Sequence, residues 1–141
     1  SGARPLLVFL HGNHATCGRD AGAGQGRFDT NVTYTFTGTC PPGYVPVPNH
    51  EGYAYTANRL ASLGYIVVSI NANLGINAAP GVAGDGGLNL RRGALVLRHL
   101  QQLAAWNAAG SGHTLEGKLD FSNVGMMGHS RGGEGVRAAY N

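Results

Sequence analysis

The chain is short of charge. Only 12% of its 141 residues are Asp, Glu, Lys or Arg, and the formal net charge is a mild +3. Its ten basic residues are scattered arginines apart from the single lysine, Lys118, so no basic run exists that would track a phosphate backbone, and no nucleic-acid partner is expected. Long apolar runs are missing as well. Nothing nears the roughly 20 residues needed to cross a bilayer, so no membrane span is expected. Residues Ser1-Gly2-Ala3-Arg4-Pro5 carry no signal-peptide pattern, and any signal is expected to have been removed. Cysteine is nearly absent. Cys17 and Cys40 flank a polar Gly/Thr-rich segment, which suits a disulfide stapling a long loop in a secreted or periplasmic protein; two free thiols in a cytosolic protein are the alternative.

What remains is 43% hydrophobic, enough for a globular core in a single domain. Pro5-Leu6-Leu7-Val8-Phe9-Leu10 is a continuous apolar run of the kind a strand shows when both faces are covered. From about 14 to 51 the sequence is Gly, Thr, Asn and Pro, which predicts a long irregular loop tied by Cys17 and Cys40. Tyr53 to Leu63 reads as a helix ended by Gly64, and Tyr65 to Ile70 as a second strand. Leu90 to Asn107 reads as the longest helix, with an apolar stripe through Leu90, Ala94, Leu97, Leu100 and Ala104. Val124 to Gly128 is the third strand, followed by helix-compatible residues. Alternating strands and helices predict an α/β fold: a three-stranded parallel sheet with helices on both faces. If the first strand sits in the middle, with the second on one side and the third on the other, right-handed crossovers place the two connecting helices on opposite faces and a switch point between the first and third strands.

At that switch point lies Gly128-His129-Ser130-Arg131-Gly132. With 24 Gly and 6 Ser, Gly-x-Ser-x-Gly arises by chance in roughly one such chain in six, so its setting carries the argument. An apolar run precedes it and a helix follows, the strand-to-helix turn that pushes a serine out of the backbone. Acyl transfer needs a nucleophile, a base, and donors aimed at the oxyanion. Ser130 supplies the first. The backbone N–H groups of Arg131, which opens the helix, and of Asn13, after the His11-Gly12 turn, are the candidate donors. His14 and His129 are candidate pocket residues for the substrate.

Together, Leu-Leu-Val-Phe-Leu-His-Gly-Asn (6 to 13), Gly-Tyr-Ile-Val-Val-Ser-Ile (64 to 70) and Gly-His-Ser-Arg-Gly-Gly-Glu (128 to 134) resemble the α/β-hydrolase superfamily. They are most similar to secreted bacterial esterases of the dienelactone-hydrolase, lipase and cutinase-like branch. The resemblance implies a serine esterase working through an acyl-enzyme on small-molecule or polymeric esters, with Ser130 as nucleophile and the Asn13 and Arg131 amides as oxyanion hole. It implies no cofactor. The family order is Ser, then Asp or Glu, then His, and only eleven residues follow Ser130 here, so the chain corresponds to the central strands, third to fifth, of such a domain. Acid and base are expected outside this sequence, and the open sheet edges to be met by the remaining hydrolase segment or by a second copy.

Other readings compete. A truncated or pseudo-hydrolase scaffold that binds a ligand or partner would carry the same strands and elbow. His11, His14, Cys17 and Cys40 have the nitrogen and sulfur for a tetrahedral zinc site. His99, His113 and Asp85 read as structural rather than as triad members. Tyr34, Phe36, Tyr44, Tyr53 and Tyr55 either pack the long loop onto the domain or wall an acyl cleft. The Gly22-x-Gly24-x-Gly26 run reads as a flexible loop, and Asn31-Val32-Thr33 fits a glycosylation acceptor.

Overall fold

A computed structural model describes residues 2–20, 26–29 and 33–141. The glycines at 22 and 24 and the start of the 31 to 33 acceptor lie outside the described residues. Three strands form the principal sheet: β1 (Arg4–Leu10), β5 (Ile66–Ile70) and β6 (Leu119–Gly128), all parallel, in the order β5-β1-β6. The first strand is the central one, the arrangement in which right-handed crossovers place the connecting helices on opposite faces. Leu6 is in register with Ile66 on one side and Val124 on the other, and Leu10 with Ile70 and Gly128.

Strand β6 begins five residues earlier than the apolar run suggested. Its pairing with β1 shifts between Pro5 and Leu6, at a residue with no N–H to give the ladder. The slack is taken up by a turn in which Asp120 accepts hydrogen bonds from the Ser122 amide at 2.9 Å and from the Asn123 side chain at 2.6 Å.

Alternation along β1 sorts the two faces. Leu6, Val8 and Leu10 are fully buried in one cluster with Val96 and Leu103 of α3 (Asn89–Asn107), packed against Val136 and Ala139 of α4 (Arg131–Tyr140). Phe9 points the other way, onto Tyr53 at 5.1 Å between ring centroids, beneath a 3₁₀ turn (Asn49–Tyr53) that leads into α2 (Ala54–Ser62). Helices therefore cover both faces.

The long helix buries the predicted stripe only in part, through Leu100, which packs against the core. Leu90 is 63% and Leu97 44% exposed, whereas Arg92, Gly93, Val96 and Leu103 are buried. Close helix crossing is the reason. A Cβ on Gly93 would stand 2.9 Å from the Ala138 Cβ, and one on Gly135 2.5 Å from the Arg92 Cβ. Small residues bring the two backbones together and turn α3 toward α4 by its glycine side.

The segment from 14 to 51 is less irregular than its composition suggested. Strands β2 (Cys17–Asp20), β3 (Gly26–Asp29) and β4 (Val45–Pro46) form a small antiparallel sheet in the order β3-β2-β4, and α1 (Thr33–Thr37) lies between β3 and β4. A disulfide joins Cys17 to Cys40. None of the helices among the described residues is long and apolar enough to cross a membrane.

Candidate active site

The end of β6 and the start of α4 meet at Ser130, whose φ of 53° and ψ of −127° lie outside the regions that L-residues favour. Such a backbone costs of the order of 1–3 kcal/mol and persists only where the surroundings hold it. They do so here by close packing. A Cβ on Gly128 would run into the Gly132 carbonyl, and one on Gly132 into the Leu10 carbonyl oxygen. The turn is tied by the Gly132 N–H to the His129 carbonyl and the Gly133 N–H to the Ser130 carbonyl, both at 2.8 Å. The His129 N–H reaches back to the Leu10 carbonyl at 3.2 Å, which also accepts the Tyr53 hydroxyl at 3.0 Å. Ser130 itself stays exposed.

His11, Gly12 and Asn13 leave β1 directly against this elbow. A Cβ on Gly12 would be 2.9 Å from the His129 carbonyl oxygen and 3.1 Å from the Ser130 Cβ. His11 is 2% exposed, and both ring nitrogens are engaged: Nε2 accepts the Ala72 N–H at 2.9 Å, which leaves Nδ1 to donate to the Gly12 carbonyl at 2.8 Å. That second bond fixes the Gly12–Asn13 peptide plane, in which the Asn13 N–H points opposite to the Gly12 carbonyl. Burial pushes the His11 imidazole down to about 4, against the opposing effect of its bond to Gly12, so the ring is neutral near pH 7. Among the described residues neither the Asn13 nor the Arg131 backbone N–H has a hydrogen-bond partner.

The Asn13 side chain is held too. Its Oδ1 accepts the Ala78 N–H at 2.8 Å and Nη2 of Arg92 at 3.3 Å, while Arg92 Nη1 donates to the His11 carbonyl at 3.5 Å. Arg92 is fully buried, its Nε has no partner, and no carboxylate lies within salt-bridge distance among the described residues. Burial first, and Arg131 second, bring its pKa down to about 10, with Asp85 opposing.

Next to this turn, His14 stacks on His129 with ring centroids 5.8 Å apart and planes 7° from parallel. Burial lowers the His14 pKa, and the neighbouring His129 and Arg92 lower it further. Clefts of about 310 and 320 Å³ open on either side of His14, one lined by Ala15, Val47 and Asn49, the other by Asn13, Ala15 and Ala78. The His14 backbone between them is tied to an asparagine network. The Asn77 Oδ1 accepts the His14 N–H at 2.8 Å, and its Nδ2 donates to Asn73 Oδ1 at 3.0 Å. Asn73 Oδ1 also accepts Asn49 Nδ2 at 2.8 Å, and Asn73 Nδ2 donates to the Val47 carbonyl.

Ser130, Asn13, Arg131, His14 and His129 are thus brought to one place. The zinc set is not. Cys17 and Cys40 are bonded to each other, and His11 has no free nitrogen to offer a metal. His99 faces its own helix, with Nδ1 at 2.9 Å from the Leu95 carbonyl; His113 stacks on Trp106 at 4.5 Å; Asp85 accepts the Leu90 and Arg91 amides that begin α3. The aromatic group divides: Tyr53 packs on the sheet and Tyr44 lies under Arg19, whereas Phe36 and Tyr55 are exposed. Sequence reasoning missed Arg92 and the three asparagines. The repeated Asn at 71, 73 and 77 directly after a strand was the available signal for two of the three; Asn49 had none.

No curated protein and no solved structure matches the chain. A family model described as PETase, PET hydrolase-like, matches residues 12–141, all of the chain except its first strand. That match, together with the parallel β5-β1-β6 sheet, bears out the likeness read from the sequence: the chain belongs to the PET hydrolase-like family, ester hydrolases of the α/β-hydrolase superfamily.

Proposed function

We propose that the chain carries the nucleophile and oxyanion half of a secreted serine esterase, and that it corresponds to the central strands, third to fifth, of the complete domain. The observation that supports this best is the strained backbone of Ser130, held against Gly12 beside two amides without partners among the described residues. In the reaction, Ser130 Oγ attacks the ester carbonyl carbon and gives its proton to a base. The carbonyl oxygen, now negative, is received by the Asn13 and Arg131 N–H groups. Collapse breaks the bond to the alcohol oxygen, which leaves with the base's proton. Water then attacks the acyl-enzyme by the same route in reverse and releases the acid.

His14 and His129 form one wall of the substrate cleft, their stacked rings offering an apolar face to an acyl or aryl group. The base and acid come from polypeptide other than these 141 residues. Strands β5 and β6 each pair only with β1 among the described residues, and their open edges take further strands from that polypeptide, or from a second copy. The disulfide supports an extracellular or periplasmic setting.

The test is labelling of the intact gene product by a fluorophosphonate, alone and as Ser130→Ala. Labelling that vanishes in the variant supports the esterase. Absence of labelling and turnover in the intact product favours a ligand-binding scaffold that has lost catalysis.

A further inference from the structure

The oxyanion turn sits on a charged group that the reaction scheme does not use. Arg92 projects from the buried side of α3, and its two terminal nitrogens reach the residues on either side of Gly12: Nη1 the His11 carbonyl, Nη2 the Asn13 side chain. A guanidinium with no carboxylate at salt-bridge distance and a bare Nε among the described residues is an expensive thing to bury. At the α3 to α4 crossing it is the Cβ of Arg92 that stands against Gly135, so this helix contact does not use the guanidinium. Packing alone therefore gives no reason for arginine at this position.

We infer that Arg92 is a positioning residue for the Asn13 amide: it grips the His11-Gly12-Asn13 turn from beneath and holds it against Ser130. The planar fork matters to this role. Two donors at fixed separation can hold two acceptors flanking one glycine, which a single ammonium cannot do at once. The Ala78 N–H shares the Asn13 Oδ1 with Arg92, so the loop after β5 closes the grip from the other side. Ala78 itself has a φ of 58°, a conformation that an L-residue adopts only under constraint, and this contact supplies one. The inference rests on the proposed roles of Ser130 and Asn13.

The experiment measures kcat and KM on a soluble aryl ester for the intact gene product and for Arg92→Lys, Arg92→Met, Asn13→Ala, Arg92→Met with Asn13→Ala, and Ser130→Ala. A lost positioning contact is expected to lower kcat by about 10-fold or more in Arg92→Met, with KM within about two-fold. Arg92→Lys recovers part of that loss, and the loss in the double variant falls well short of the product of the single losses. A purely structural role would lower the amount of folded enzyme without splitting kcat from KM or coupling to Asn13. The inference is overturned if kcat stays within about two-fold in Arg92→Lys and Arg92→Met, or if the Arg92 and Asn13 losses simply multiply. Should Arg92→Met fail to fold, Arg92→Lys is judged by the same kcat criterion. Ser130→Ala separates the two levels: if it keeps turnover, the esterase reading itself fails, whereas its inactivity beside indifferent Arg92 variants removes only the positioning role.

Discussion

Gly12 and Ser130 are packed so closely that a methyl group on Gly12 would stand 3.1 Å from the Ser130 Cβ. The same methyl would be 2.9 Å from the His129 carbonyl oxygen and 3.2 Å from His129 Nδ1, so relief must come from moving the turn or the elbow. Gly12→Ala is expected to displace the Asn13 N–H and lower kcat by about 10²-fold, the scale on which losing one oxyanion donor acts. Steady-state kinetics beside a thermal melt check it: activity should fall far more than the folded fraction.

The neutral His11 makes the fold sensitive to acid. Its folded-state pKa of about 4 lies below the ordinary 6.5, so the unfolded chain takes up the proton more readily. The contribution is complete above about pH 6.5 and is lost as pH falls toward 4, roughly 3 kcal/mol in all. His14 is shifted in the same direction. Urea unfolding between pH 4 and 7 should show stability rising with pH, and His11→Gln should flatten that rise.

Asn77 is fully buried and satisfies partners from three separate segments: the His14 N–H, Asn73 and the Thr35 hydroxyl. Asn77→Leu would leave the His14 N–H and part of Asn73 without partners, a loss of about 2–3 kcal/mol. Denaturant midpoints measure that loss. An increase in KM for aryl esters would accompany it, because the His14 cleft stands on this network.

The disulfide closes a loop with a sequence separation of 23. Chain entropy puts its contribution at about 3 kcal/mol. Cys17→Ser with Cys40→Ser, or reduction, should lower the melting temperature while leaving the Ser130 elbow able to react with a fluorophosphonate, since the elbow is built from β1, β6 and α4.

Much of this was legible from the residues. Continuous apolar runs gave the three parallel strands, and Gly64, with a φ of 96°, ended its helix as read. The tight turn at Ser130 follows from Gly128 and Gly132, both demanded by backbone contact. Where the reading failed, a tertiary partner had overridden local pattern. The α3 stripe was drawn through leucines, but the crossing with α4 selected Gly93 and Val96 instead. Strands β2 and β4, four and two residues long, are too short for alternation to register. Arg92 drew no reading from the sequence, since only the fold brings it to the turn after β1.

The central claim is that Ser130 is a presented nucleophile. Its most direct test is intact-mass analysis of the full gene product after treatment with a fluorophosphonate. The account expects one adduct, mapped to the peptide containing Ser130 and absent from Ser130→Ala. An adduct on another residue, or ester hydrolysis that survives Ser130→Ala, would contradict it.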